Sequence, residues 1–185
     1  MPPQPPTPAG EGPPRVLLDA MCGSLATYLR MCGYDAAYAL DRGVEADDRM
    51  LALAAEEDRT LVTRDRDLVA RAEQAGNAEE SVTDAGGDAV LLTERDVIGQ
   101  LRELRAAGFP VELADEPTRC GACNGSVERV ERRADVGSTD RPVDRPEYVP
   151  DDVAVDRPGW RCRDCGRWFW KGSHWDDVGA RLDAL

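Results

Sequence analysis

Short apolar runs alternate with longer stretches of helical spacing between residues 15 and 108. RVLLDA (15–20) predicts a first strand that ends at Asp19. In GSLATYLRMCG (23–33), Leu25, Tyr28, Leu29 and Cys32 recur at i, i+3, i+4 and i+7, which predicts an amphipathic helix stopped by Gly33. DAAYAL (35–40) predicts a second strand. DDRMLALAAEE (47–57) predicts a second helix, with Asp47 or Asp48 at its N-cap and Met50, Leu51 and Ala54 on its inner face. TLVT (60–63) and RDLVARAEQAG (66–76) form the next strand–helix pair, and AVLLT (89–93) with DVIGQLRELRAAG (96–108) the last. This alternation predicts an α/β domain with a parallel sheet covered by helices on both faces. The acidic, glycine-containing NAEESVTDAGGD (77–88) reads as a surface insertion.

The pattern changes at both ends. Residues 1–14, MPPQPPTPAGEGPP, are rich in proline and read as a disordered leader, with no charged and apolar signal segment. After residue 116 the strand–helix rhythm stops. Two CxxC pairs, Cys120/Cys123 and Cys162/Cys165, flank a loop rich in proline and aspartate, and Trp160, Trp168, Phe169, Trp170 and Trp175 cluster near the end. The expected division is therefore a leader (1–14), an α/β domain (15–116) and a small ribbon module (117–185). Two close pairs of thiolates are what a four-coordinate structural zinc requires. A disulfide within either CxxC would close a short strained ring. Cys22 and Cys32 have no metal-pair spacing and read as buried free thiols.

Charge alters the expected setting. The chain has 36 acidic and 23 basic residues, a net charge of -13, and Lys171 is its single lysine. Such a surface repels nucleic acid at low salt. Acid excess with arginine in place of lysine also suits a salt-rich cytoplasm, where several-molar salt shortens the Debye length to roughly 3 Å or less. The charge thus points to a halophilic, cytoplasmic setting. No stretch reaches the roughly 20 apolar residues needed to cross a bilayer, so no membrane partner is expected.

Within this setting the acidic residues acquire a chemical meaning from position. Asp19 ends the first strand, Asp47 opens the second helix, and Asp65 and Asp67 follow the third strand. In a parallel sheet all four lie at the carboxyl edge, where such folds bind ligands. Each alone reads as a helix cap. Together they would repel one another unless divalent cations with oxygen ligands neutralise them. The chain has no glycine-rich phosphate loop, no GxSxG and no histidine near this edge, so metal-activated water is the chemistry left.

The segments LLDAMCGSLATYLRMCGYD, DDRMLALAAEEDRTLVTRDRDL, CGAC, CRDC and FWKGSHW, in this order over about residues 15–182, resemble the Mut-seven C-terminal RNase domain family. That family is a branch of the PIN-like nucleases with a C-terminal zinc ribbon. The resemblance implies a PIN-like fold, zinc on Cys120, Cys123, Cys162 and Cys165, and cleavage of RNA dependent on Mg²⁺ or Mn²⁺. Its acidic positions fall on Asp19, Asp47, Asp65 and Asp67, with Asp48 an alternative to Asp47 one residue away. A non-catalytic RNA-binding module, and a DNase or phosphatase built on the same acids, remain open as other functions. Arg30 and Arg64 are candidate phosphate contacts, with salt bridges to nearby aspartates as the competing role. His174, the one histidine, is either an RNA contact or a packed or capping residue beside Trp175.

Overall fold

The computed structural model describes residues 15–78, 89–130, 146–153 and 156–185. The leader 1–14, and the 77–88 insertion except its first two residues, lie outside the described residues. The first strand, β1 (Val16–Leu18), is followed by α1 (Gly23–Met31), β2 (Ala36–Tyr38), α2 (Asp47–Glu56), β3 (Thr60–Thr63), α3 (Arg66–Ala78), β4 (Ala89–Leu91) and α4 (Val97–Ala106). All four strands are parallel, in the order β2-β1-β3-β4.

Period-two alternation along the strands splits the core into two layers. Val16, Leu18, Ala36 and Val62 face one side with Leu25 and Leu29 of α1 and Leu101 and Leu104 of α4. Leu17, Ala37 and Leu61 face the other with Met50 and Leu53 of α2 and Leu68 of α3. Strands covered on both faces read as continuous apolar runs, which is why VLL and TLVT carry so little polarity. Each fully buried leucine contributes about 2 kcal/mol.

Helices α1 and α4 end alike. After α1, Gly33 takes φ +87°, its N–H donates to Arg30 O and Tyr34 N–H donates to Leu29 O, a Schellman closure that turns the chain into β2. Gly108 closes α4 the same way and seats Phe109 in the core. Two details differ from the sequence reading. Ala46, not Asp47 or Asp48, is the N-cap of α2 and makes no side-chain cap; the two aspartates occupy the first turn, where the helix dipole favours them. Leu53 rather than Leu51 completes the inner face, with Leu51 only partly buried against it.

The C-terminal half adds an antiparallel sheet of β5 (Val127–Val130), β6 (Gly159–Cys162) and β7 (Trp168–Trp170), then α5 (Ser173–Asp183). Its own core is small, with Val149, Val153 and Trp168 at the centre. It is also docked onto the first half at two places. Val178 and Leu182 of α5 join the core layer of α1 and α4, and Arg105 reaches the Leu182 carbonyl.

The second contact is polar and seals the open edge of β2. Arg30, only 3% exposed, donates from Nε to Ala36 O at 2.9 Å and from Nη1 to the carbonyls of Gly121 (3.1 Å) and Ala122 (3.2 Å). Its Nη2 pairs with Asp41 at 3.2 Å. Asn124 accepts from Ala36 N–H at 3.0 Å and donates to Asp35 Oδ1 at 2.7 Å. Asp35 also receives Arg59 at 2.8 Å and Arg119 at 3.6 Å. Arg59 in turn caps the carbonyls of Val16 and Asp35 at the amino end of the sheet. The edge strand is thereby paired rather than left as a template for aggregation.

Burial alone would raise the Asp35 carboxyl, but hydrogen bonds from Arg59 and Asn124, and the charges of Arg59 and Arg119, lower it from 3.8 to about 2. A depressed folded-state value gives stability that is complete above about pH 4 and disappears as pH falls through about 2. Asp35→Asn should therefore cost on the order of 2 kcal/mol at neutral pH. In denaturant titrations the difference from wild type should shrink between pH 4 and pH 2, the interval set by the shift at Asp35. A constant difference across that interval would show that the carboxylate charge is not what holds the seam.

Candidate functional site

Asp19 leaves β1 just past the apolar run and turns directly into a 3-10 turn, Ala20–Cys22. The residue is buried, being 7% exposed. Oδ1 accepts the Ala20 N–H, and Oδ2 accepts the Thr63 hydroxyl at 2.7 Å. Thr63 is fully buried at the end of β3, and its Oγ1 also accepts the Asp65 N–H at 3.0 Å. One threonine therefore ties the ends of β1 and β3 together. These are the strands between which the chain order reverses, the usual ligand crevice of an open parallel sheet.

Asp65 caps α3, its Oδ1 accepting from Asp67 N–H at 2.8 Å and Leu68 N–H at 3.3 Å. Asp67 lies in the first turn of α3 and is exposed. Asp47 stands at the start of α2, its Oδ2 paired at 3.1 Å with Arg71 of α3, which also reaches Asp48. The Asp47 side chain is 48% exposed and that of Asp48 is 92% exposed, so Asp47 is the inward member of the pair. The four aspartates thus open helices or end strands at one edge, but their oxygens do not gather into a single tight group. Like charges separate when each finds a donor of its own: a buried hydroxyl, a helix N-terminus, an arginine.

Arg64, between Thr63 and Asp65, makes no hydrogen bond or ion pair among the described residues, and its Nε is buried. Glu103 of α4 sits near enough to feel its charge. Burial would raise the Glu103 carboxyl, yet the Thr93 hydroxyl and the N–H groups of Thr93 and Glu94 lower it, with Arg64 assisting. Glu103 was not singled out by the sequence, since one glutamate on a helix face has no distinguishing spacing. Arg30 is buried against carbonyls and Asp41 in the seam, so its salt-bridge role holds and its phosphate role does not. Cys22 and Cys32 are free thiols, Cys22 buried and Cys32 partly so. Burial pushes both up to about 12, reinforced at Cys22 by Asp19. Such thiols are inert.

The cysteines do converge. Cys120, Cys123, Cys162 and Cys165 place all four sulfurs within 4.8 Å of one another, the one such group of three or more metal-ligating side chains among the described residues. Cys120 Sγ lies 3.7 Å from Cys165 Sγ, and Cys123 Sγ 3.5 Å from Cys162 Sγ. A tetrahedron with bonds of about 2.3 Å has edges of about 3.8 Å, so this donor set fits zinc in both chemistry and spacing. The two knuckles share a design. The residue after the second cysteine is left-handed in each, Gly166 at φ +72° and Asn124 at φ +66°. Asparagine tolerates that conformation, and here its amide is also the docking group for β2.

His174 is the second residue of α5, exposed and not a cap. No helix among the described residues is long and apolar enough to cross a membrane.

Thr63→Val keeps the shape of the side chain but leaves a buried Asp19 oxygen and the Asp65 N–H without their partner. It should lower stability by roughly 2 to 3 kcal/mol in urea titration. A change below about 0.5 kcal/mol, the range of an ordinary surface substitution, would show that the two strand ends are held independently.

Neither the curated proteins nor the solved structures contain a match to this chain. The family model for the Mut7-C RNAse domain matches residues 14–182, from the first strand through the cysteine cluster to the last helix. Covering nearly the whole chain, that match makes the protein a member of the Mut7-C RNAse domain family.

Proposed function

We propose that the protein is a ribonuclease that hydrolyses phosphodiester bonds at the carboxyl edge of its parallel sheet, with Asp19, Asp47, Asp65 and Asp67 as ligands for Mg²⁺ or Mn²⁺. The observation that carries this reading is the tether through Thr63, which fixes Asp19 and Asp65 on either side of the crevice between β1 and β3. Family membership supports nuclease chemistry. Those four carboxylates would hold a divalent ion, which would supply an activated water and neutralise phosphate charge. The remaining work falls to the chain. Thr63 and the Ala20 N–H orient the Asp19 carboxylate, and the α3 N-terminus fixes Asp65 with its second oxygen left over. Arg71 would have to yield Asp47 to a cation. Arg64 offers an unpaired guanidinium to a phosphate oxygen.

In this reading zinc on the four cysteines is structural, because every coordination position is filled by protein. The division into leader 1–14, nuclease domain 15–116 and ribbon 117–185 belongs to the same proposal. So does a reducing, cytoplasmic setting in which thiolates rather than disulfides persist.

Metal analysis of the untreated protein should give one zinc per chain. Cys162→Ser should abolish it and loosen the ribbon, while the helical signal of the first half persists. Zinc absent from wild type would end the assignment.

The catalytic reading is tested with labelled RNA and DNA in Mn²⁺. RNA should be cut and DNA spared. Asp19→Asn and Asp65→Asn should each slow cleavage by about a hundredfold or more, since even partners behind a metal ligand are worth about 10- to 100-fold. Asparagine caps about as well as aspartate, so Asp65→Asn should fold normally. Asp48→Asn should be mild. Full activity in both variants would refute the assignment, and equal cutting of DNA would replace RNA by nucleic acid in general.

A further inference from the structure

A groove of about 720 Å³ runs between α1 and the ribbon. Its floor is one stripe of α1, Gly23, Ala26, Thr27, Arg30 and Met31, at helical spacing and mostly of small side chains. Its opposite wall is the aromatic end of the ribbon: Phe169 and Trp170 of β7, and Trp175 with His174 at the start of α5. The sequence had shown these aromatics as a cluster without assigning them a purpose.

Three features identify an occupant. The first is charge. In a chain with 36 acidic residues, the groove contains Arg30, Arg119, Arg167 and His174 against the single carboxylate of Asp41. Arg30 and Arg119 are engaged in the seam, but exposed Arg167 has no side-chain partner among the described residues. The second is chemistry. Partly buried indole and phenyl rings beside a free guanidinium are the elements that stack unpaired bases and hold the phosphates between them. The third is continuity. Gly23 and Tyr38 line the groove, and the Tyr38 hydroxyl donates to Ala20 O at 2.8 Å, one residue from Asp19. A Cβ on Gly23 would lie 2.9 Å from that hydroxyl, so glycine is what allows the helix to start this close to the strand end.

We propose that this groove binds single-stranded RNA and leads the strand to the carboxyl edge. The stripe from Gly23 to Met31 spans about 12 Å at about 1.5 Å per residue. That length accommodates roughly three to four stacked nucleotides at about 3.4 Å each. The groove selects unpaired RNA because a base can stack on the ribbon aromatics only when its own partner strand is absent. The direction of travel rests on the ribonuclease reading; the binding itself does not.

The test is fluorescence anisotropy of the zinc-loaded full chain with a labelled single-stranded oligouridylate dodecamer and with a blunt RNA duplex, without Mg²⁺ or Mn²⁺. The single strand should bind at least about tenfold more tightly than the duplex. Trp175→Ala should weaken binding by about tenfold, in line with the loss of one stacked base. Thr27→Glu, on the exposed floor and outside the core, should weaken it comparably by placing a carboxylate under the phosphates. Arg102→Ala, an exposed arginine on α4 outside the groove, should bind as wild type. Wild-type affinity in both Trp175→Ala and Thr27→Glu overturns the proposal, as does equal affinity for duplex. So does the absence of any RNA binding, which would reassign the groove to a protein partner. Cleavage separates the two readings. If Asp19→Asn loses cleavage while the groove variants bind normally, the groove falls and the acidic site stands. If the groove variants lose binding while Asp19→Asn cleaves normally, the acidic site falls and the groove stands.

Discussion

The seam around Arg30, Asp35 and Asn124 is the constraint on which the rest of the structure depends. It is buried, charged and shared by both halves of the chain. Arg30 spends its donors on two ribbon carbonyls, one β2 carbonyl and Asp41, while Asn124 supplies both an acceptor and a donor to β2. Charges taken out of water must be met in full, and a partial loss leaves the remaining partners exposed to the whole desolvation cost. Such a contact is therefore either complete or costly, and it fixes the ribbon in one position on the edge strand. The ribbon aromatics line the same groove as α1 in that position, held there also by Val178 and Leu182 of α5.

A second constraint acts at the opposite, carboxyl end of the strands. Acidic residues collect there because strands end and helices begin there, and helix N-termini attract them. Their mutual repulsion is met locally by Thr63, by the open N–H groups of α3 and by Arg71. Asp19 and Asp65 are held most firmly, each by backbone or buried partners. Asp47 and Asp67 are more exposed and rest on helix first turns.

The two knuckles show how one local shape serves two purposes. Both need a left-handed residue after the second cysteine. Gly166 fills that position without a side chain to spare, and Asn124 fills it with an amide that reaches Asp35 and Ala36 at the start of β2. Gly125 allows the crowding beside it, since a Cβ there would lie 2.3 Å from Asp164 Oδ2.

Much of this was legible along the chain. Periodicity gave the strands and helices of the first half, because their apolar spacing reports directly which face is buried: Leu17 to one side, Val16 and Leu18 to the other. The paired CxxC motifs gave the cysteine cluster, since ligand type and short-range spacing are local properties. What the sequence could not decide was everything that joins distant segments. Arg30 looks like a surface residue on a helix and becomes buried only when residues 121 and 122 arrive. Asp35 and Asn124 are unremarkable until they meet. Thr63 has no motif of its own, and its importance comes from lying between Asp19 and Asp65. The acids were identifiable by residue type and placement, but their separation depends on which donors each one finds. Local sequence determines conformation because neighbours along the chain are always in contact; which distant groups must satisfy one another is settled only when folding removes water from between them.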